Sequence, residues 1–207
     1  REAHAVLATI TGARKGVLFD ATLDDRFASV LLHTIERQDQ VRMRLGSVRT
    51  VQTNAFERVR GTGALPPRRL SGEQSNSSLA YGDRLILKLF RRFDTGVNPD
   101  FEIGSYLTDK TDFTRVPAVT AALEYTPIAE PTATLGMMQA LVESQGDGWA
   151  HATDEVRQFY DAVQGRPVPP AQMPSASDFV SLVRTDVPPG VKDVLSGYLA
   201  VAGSHVR

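Results

Sequence analysis

Cysteine is missing from all 207 residues, which excludes a disulfide framework, a thiolate zinc site and a cysteine nucleophile. Histidine is scarce. The four present, at positions 4, 33, 151 and 205, never fall within a helical turn of one another, so a histidine-rich metal site is not expected. An excess of one charge is also missing: Lys+Arg 23 stands against Asp+Glu 24, a formal net charge of -1. Nucleic-acid binding through bulk charge needs a basic surface, so no nucleic-acid partner is expected. No apolar run approaches the roughly 20 residues that span a bilayer, and no signal-peptide pattern is found. The expectation is a soluble, cytoplasmic protein with no membrane partner. Internal repeats and low-complexity tracts are lacking as well.

What is present is ordinary for a globular protein: 42% apolar and 23% charged residues. The length allows one large domain or two small ones. The chain opens on Arg1-Glu2-Ala3 without an initiator Met and stops at His205-Val206-Arg207 straight after an amphipathic pattern. A segment of a longer protein is therefore expected.

Residues 4–10 and 15–21 read as a hairpin across Thr11-Gly12-Ala13-Arg14. Thr22 is the expected cap of a helix, with Asp25 three residues on and Leu23, Phe27, Val30, Leu31 and Ile35 on its inner face. Residues 41–45 and 48–51 alternate as half-buried strands do. The Gly- and Pro-rich stretch 61–67 is the strongest boundary signal. It closes a β-rich unit, 1–66, packed on one helix. Beyond it, 71–78 reads as a polar turn and 84–90 as a strand with Leu85, Leu87 and Leu89 on one face and Ile86, Lys88 and Phe90 on the other. Asn98-Pro99 starts a helix, Asn as cap and Pro in the first turn. Residues 122–126 and 132–141 read as two more strands. Residues 154–164 read as a helix with Val156, Phe159, Tyr160 and Val163 inward, and Trp149 before it as core. A Pro-rich connection, a segment 178–184 and a last helix from Pro189 with Val191, Val194, Leu195, Tyr198 and Leu199 follow.

The chemistry centres on Lys88. An inward lysine between Ile86 and Phe90 is costly without a partner or an anionic ligand. Glu102, in the first turns of the next helix, is the expected partner. A strand lysine that holds nucleotide phosphates and is positioned by a helix glutamate is the small-lobe arrangement of kinase-like phosphotransferases. Gln74, Ser75, Asn76, Ser77 and Ser78 would lie in a loop over the phosphates, where small residues let backbone N–H groups approach the oxygens. Gln139, Ala140, Leu141 and Val142 would form a hinge whose backbone edge meets adenine. The loop does not match G-x-G-x-x-G, and a strand Lys followed by a helix Glu also reads as a surface ion pair.

The wording is more specific than the spacing. Glu73-Gln74-Ser75-Asn76-Ser77-Ser78, then residues 81–92 around Leu85-Ile86-Leu87-Lys88, closely resemble the maltokinase family. So do Gly96-Val97-Asn98-Pro99-Asp100-Phe101-Glu102-Ile103-Gly104, Val116-Pro117, Ala122-Leu123-Glu124-Tyr125 and Gln145-Gly146-Asp147-Gly148-Trp149. The resemblance covers residues 68–150 strongly and the flanks more weakly. It implies an enzyme that transfers the γ-phosphoryl group of ATP to maltose, giving maltose 1-phosphate, often fused behind a trehalose synthase. It implies an α+β fold: a β-rich N-terminal cap (1–66), an aminoglycoside-phosphotransferase-like nucleotide-binding subdomain with an antiparallel sheet and a helix (67–150), and the start of a truncated helical lobe (151–207). By position Lys88 would bind the phosphates, Glu102 would orient it, 74–78 would cover the nucleotide and 139–142 would meet adenine.

The departure from the family is at the catalytic end. The base and both magnesium ligands of such kinases come from the second lobe. Gly146-Asp147 is not that word: Gln145 stands where His belongs, and the fifth residue after Asp147 is Ala152, not Asn. Base, Mg2+ ligands and maltose site are thus expected beyond Arg207, and the chain alone is expected to bind ATP without phosphorylating anything. The alternative is a non-catalytic module that docks on a trehalose synthase partner.

Overall fold

The computed structural model describes residues 5–70, 75–143, 146, 148–164, 186, 192 and 195–200. In chain order the elements are β1 (Val6–Ile10), β2 (Gly16–Phe19), a short 3-10 turn (Ala21–Leu23), α1 (Asp25–Glu36), β3 (Gln40–Met43), β4 (Gly46–Gln52), α2 (Phe56–Arg60), β5 (Pro67–Leu70), β6 (Asn76–Tyr81), β7 (Leu85–Phe90), α3 (Pro99–Lys110), β8 (Val119–Pro127), β9 (Ala133–Ala140) and α4 (Gly148–Val163). The expected α+β class is what is found. Two compact units divide after Glu143: Arg1–Glu143 and Ser144–Arg207.

Seven strands of the first unit form one antiparallel sheet in the order β3-β4-β8-β9-β7-β6-β5. Directly opposed residues of antiparallel strands share a face, so the register assigns every side chain to a side. One face carries Leu79, Tyr81, Leu85, Leu87, Leu123 and Met138, covered by Ala28, Leu32 and Ile35 of α1 and by Phe56 of α2. Burying each such large side chain contributes about 1.5–3 kcal/mol. The Tyr81 hydroxyl, inside this layer, donates to the Ala28 carbonyl at 2.9 Å, and burial pushes its pKa up. The other face carries a smaller core in which Phe101 of α3 packs on Val119, Ala122 and Met137, flanked by Val51 and Phe90. The alternation read from Leu85, Leu87 and Leu89 against Ile86, Lys88 and Phe90 is the alternation observed.

Several local readings change. The caps at the start of α1 are Asp20 and Asp24, not Thr22. Asp20 accepts the Thr22 amide and hydroxyl at 2.9 and 2.7 Å and closes the 3-10 turn. Asp24 then accepts the Arg26 amide at 2.8 Å. Starting the helix there turns Phe27 and Val30 outward and seats Ala28 and Leu32 instead. The small Ala28 lets α1 approach closely enough to take the Tyr81 hydroxyl. Helix α2 was not expected; it is a single short segment held by Arg60, whose guanidinium meets Glu36 at 2.7 and 2.8 Å. The turn at 61–67 separates strands of the same sheet, since β4 pairs with β8 from Gly46↔Pro127 to Gln52↔Ala121. The hairpin β1-β2 stands outside that sheet.

In the second unit α4 starts at Gly148, six residues before the expected helix. Trp149 is in its first turn and 83% exposed, so it is not core. Phe159 and Val163 are half-buried as expected, whereas Val156 and Tyr160 are exposed. Residues 195–200 are helical, with Leu195 and Leu199 half-buried. The Pro-rich connection, the segment 178–184, Pro189, Val191 and Val194 lie outside the described residues. No helix among the described residues is long and apolar enough to cross a membrane.

Candidate functional site

Lys88 lies mid-way along β7, opposite Ser78 of β6 on one side and Met137 of β9 on the other. It is therefore on the face that α3 partly covers, not on the face sealed by α1. Its side chain is half-buried. Among the described residues, the ion pairs are Arg37–Asp39, Arg49–Glu124, Arg60–Glu36, Arg69–Asp20, Arg84–Asp83 and Arg157–Asp154. None includes Lys88 or Glu102. The structure does not bring the two together. Phe101 is the one side chain of α3 that is buried, and Glu102, one residue and about 100° further round the helix, is exposed.

Register decides which other expected residues join Lys88. Asn76, Ser77 and Ser78 belong to β6 and not to a loop, because all three are paired with β7. Asn76 and Ser78, opposite Phe90 and Lys88, share the lysine's face. Ser77, opposite Leu89, is on the other face, where its hydroxyl accepts from Arg91 Nε at 3.5 Å. Ser75 is exposed at the bend before β6, its carbonyl accepting the Arg91 amide at 3.2 Å. Gln74 lies outside the described residues. On β9, Gln139 is opposite Ile86 and shares the face of Lys88, while Ala140 is opposite Leu85 and faces away. The Leu141 amide donates to the Arg84 carbonyl at 2.8 Å, which ends the ladder. Val142 is past that point and exposed.

One residue on this face was missed. Arg68 of β5 is opposite Ala80, which is opposite Ile86, so the exposed guanidinium projects from the same side as Lys88. Finding it needed the β5–β6 register, which no local period discloses; Arg68 and Arg69 look equivalent in sequence. Arg69 faces the other way and meets Asp20 at 3.4 Å. The result is a shelf: a floor of Ala80, Ile86 and Met137, bordered by Asn76, Ser78, Lys88, Gln139 and Arg68. Its two cations and neutral donors suit an anion that also presents a flat apolar group.

Enclosed space lies elsewhere in this unit. A cavity of about 500 Å³ opens between α2 and the segment after α3, lined by Arg58, Thr108, Phe113, Val116 and Ala140 among others. A second, of about 450 Å³, lies at the foot of the β1-β2 hairpin. Neither is walled by Lys88. Among the described residues no three His, Asp or Glu side chains converge to hold a metal ion.

No protein-family model matches the chain.

Proposed function

We propose that this chain is the cap and nucleotide-binding part of a maltokinase-like phosphotransferase, and that the shelf around Lys88 takes the phosphates of ATP. The observation that carries the reading is the half-buried Lys88 ammonium, which has no ion-pair partner among the described residues. A cation held in that state is costly until an anion completes it. The element order supports the same reading. Counted from β5, the lysine is on the third strand, and the helix with Glu102 follows directly. That is the placement of the phosphate-binding lysine and the glutamate helix in protein kinases. Arg68 adds a second positive charge to the same face, and Ile86, Ala80 and Met137 offer the apolar floor an adenine ring needs.

In this reading the protein contributes positioning and charge. Lys88 and Arg68 neutralise phosphate oxygens, Ser78 and Asn76 donate hydrogen bonds, and Gln139 and the backbone after Leu141 border the base. Maltose as acceptor, the magnesium ions and a trehalose synthase partner come with the family resemblance, not with residues of this face. The test is calorimetric titration with ATP. Binding by the wild type and its loss in Lys88→Met are expected. Equal affinity in the two proteins overturns the assignment, and so does a wild type that takes up no ATP, the outcome of the docking-module alternative.

A further inference from the structure

We infer that the free edge of β3 takes a strand from another protein, an extended segment in which acidic residues alternate with apolar ones. β3 is at the end of the seven-stranded sheet, and among the described residues it pairs with β4 alone. None of Gln40, Val41, Arg42 and Met43 makes a main-chain hydrogen bond on its outer side. Such a row of open N–H and C=O groups is a template for an added strand. The template is held in shape at its turn. The Tyr125 hydroxyl donates to the Leu45 carbonyl at 3.0 Å, and the same carbonyl takes the Ile128 amide at 3.2 Å. A Cβ at Gly46 would fall 2.8 Å from the Tyr125 ring, so the glycine lets the ring close over the turn.

The register gives the two sides of this edge different chemistry. Val41 is opposite Val48, which is opposite Tyr125, and Met43 shares their side. Val41 and Met43 are exposed, and at the turn that follows Leu45 and Ile128 are 61% and 79% exposed. Arg42 is opposite Ser47 on the other side, and Arg44 follows it at the turn. Both arginines are exposed, and neither is in an ion pair. A strand that lays apolar residues beside Val41 and Met43 therefore presents its alternate residues to arginine.

Charge decides what that strand is. A second copy pairing through its own β3 about a two-fold axis must match apolar side to apolar side. The registers that overlap most of residues 40–45 then set Arg42 against the other copy's Arg42 or Arg44. Like charges directly opposed are destabilising, whereas aspartate or glutamate at those places is favourable. The arginines that turn away a second copy thus select an acidic strand. This chain does not supply the segment itself. Two acidic residues two apart occur once in its sequence, at Asp100 and Glu102, and both are in α3. β4, β8 and β9 separate this edge from β7, so the inference is independent of the nucleotide site.

The test is fluorescence anisotropy of a labelled peptide in which valine and glutamate alternate, titrated with the full chain. Saturable binding is expected, and hydrogen exchange read by mass spectrometry should slow across residues 40–45. Arg42→Glu/Arg44→Glu should weaken binding about tenfold or more and take a valine–lysine peptide instead. Met43→Thr, which keeps both charges, should weaken it as well. Far-UV circular dichroism and the melting curve should be unchanged in these variants, because all three side chains are exposed. A valine–glutamate peptide that does not bind overturns the inference. Equal binding of a peptide with its valines and glutamates grouped, or equal binding by the charge-reversed chain, overturns it too. So does protection of residues 40–45 that grows with the concentration of the chain alone, which would make β3 a contact between copies.

Discussion

Replacing Lys88 by Met should make the nucleotide-free protein more stable and the nucleotide-loaded protein less so, a crossing that a structural lysine would not produce. In the wild type the aliphatic stem lies between Ser78 and Met137 beside Ile86, and the ammonium has no ion-pair partner among the described residues. A buried polar group without a partner costs about 1–3 kcal/mol by protein mutational data. Half-burial and solvent screening place Lys88 at the low end, about 1 kcal/mol. Met keeps the stem's volume, adds an apolar tip against Met137 and removes the charge. For a chain of this size a gain of about 1 kcal/mol raises Tm by about 2–4 °C. ATP acts in the opposite direction on the wild type alone: at a hundred times its Kd it stabilises the folded state by about 2.7 kcal/mol. Thermal unfolding followed at both conditions should thus show Lys88→Met above the wild type without ATP and below it with ATP. A Met variant less stable than the wild type without nucleotide refutes the reasoning, since it means the ammonium already had a compensating partner. The Lys88→Met/Glu102→Gln double-mutant cycle sharpens this: without ATP the coupling should be within about 0.3–0.5 kcal/mol of zero, as for independent sites.

Tyr81→Phe should cost about 1–1.5 kcal/mol in urea unfolding, the loss of one buried hydrogen bond to Ala28, and leave ATP titration unchanged. Gly104→Ala should destabilise by about 1–2 kcal/mol even though Ala is the better helix former, because its Cβ would meet Val119 Cγ2 at 2.5 Å and lift α3 from the sheet; a stabilised variant would show that α3 yields freely. Asp20→Asn should matter least in acid. Burial opposes the Asp20 charge, but the Thr22 hydroxyl and amide and Arg69 outweigh it and hold the carboxyl below its ordinary value. Its contribution is then fully present above the unfolded value near 3.8 and disappears as pH falls through the lower folded value. The stability gap between wild type and Asp20→Asn should be flat at higher pH and close below it, and a gap independent of pH contradicts the assignment.

What the sequence disclosed was whatever a local period or a local cap could encode. Leu85 to Phe90 alternates cleanly because one face is sealed and the other holds Lys88. Asn98-Pro99 announces α3 because its side chain satisfies the Asp100 and Phe101 amides within the same turn. The start of α1 was harder: Asp20 and Asp24 each cap a separate turn, so the helix begins later and rotates its inner face from Phe27 and Val30 to Ala28 and Leu32. An alanine chosen for close approach carries almost no signal in a hydrophobic pattern. Sheet order was not legible, since the pairing of Arg49 with Glu124 joins residues 75 apart. For the same reason the polar run before Leu79 read as loop, though pairing with β7 takes Asn76 to Ser78 into the sheet, and Ser78 also pairs Leu70 of β5. The candidate residues on β6 and β9 were legible in type but not in face, which split Ser78 from Ser77 and Gln139 from Ala140, and Arg68 on β5 was hidden.

The position of Glu102 follows from how α3 is tethered, and it bears on what completes Lys88. At the N-terminus the Asn98 amide donates to Thr134 Oγ1 at 3.1 Å. In the middle Thr108 Oγ1 accepts the Val119 amide at 3.0 Å while donating to the Gly104 carbonyl at 2.7 Å. Near the C-terminus Asp109 accepts the Asn54 amide at 3.0 Å. Phe101 is the buried anchor between them. Turning Glu102 toward the sheet by rotation needs about 100°, which would withdraw Phe101 from Val119, Ala122 and Met137 and break these bonds together. A few kcal/mol of burial and several hydrogen bonds oppose that turn, and one half-exposed ion pair returns no more than about 1 kcal/mol. The glutamate therefore stays outward and does not pair with Lys88.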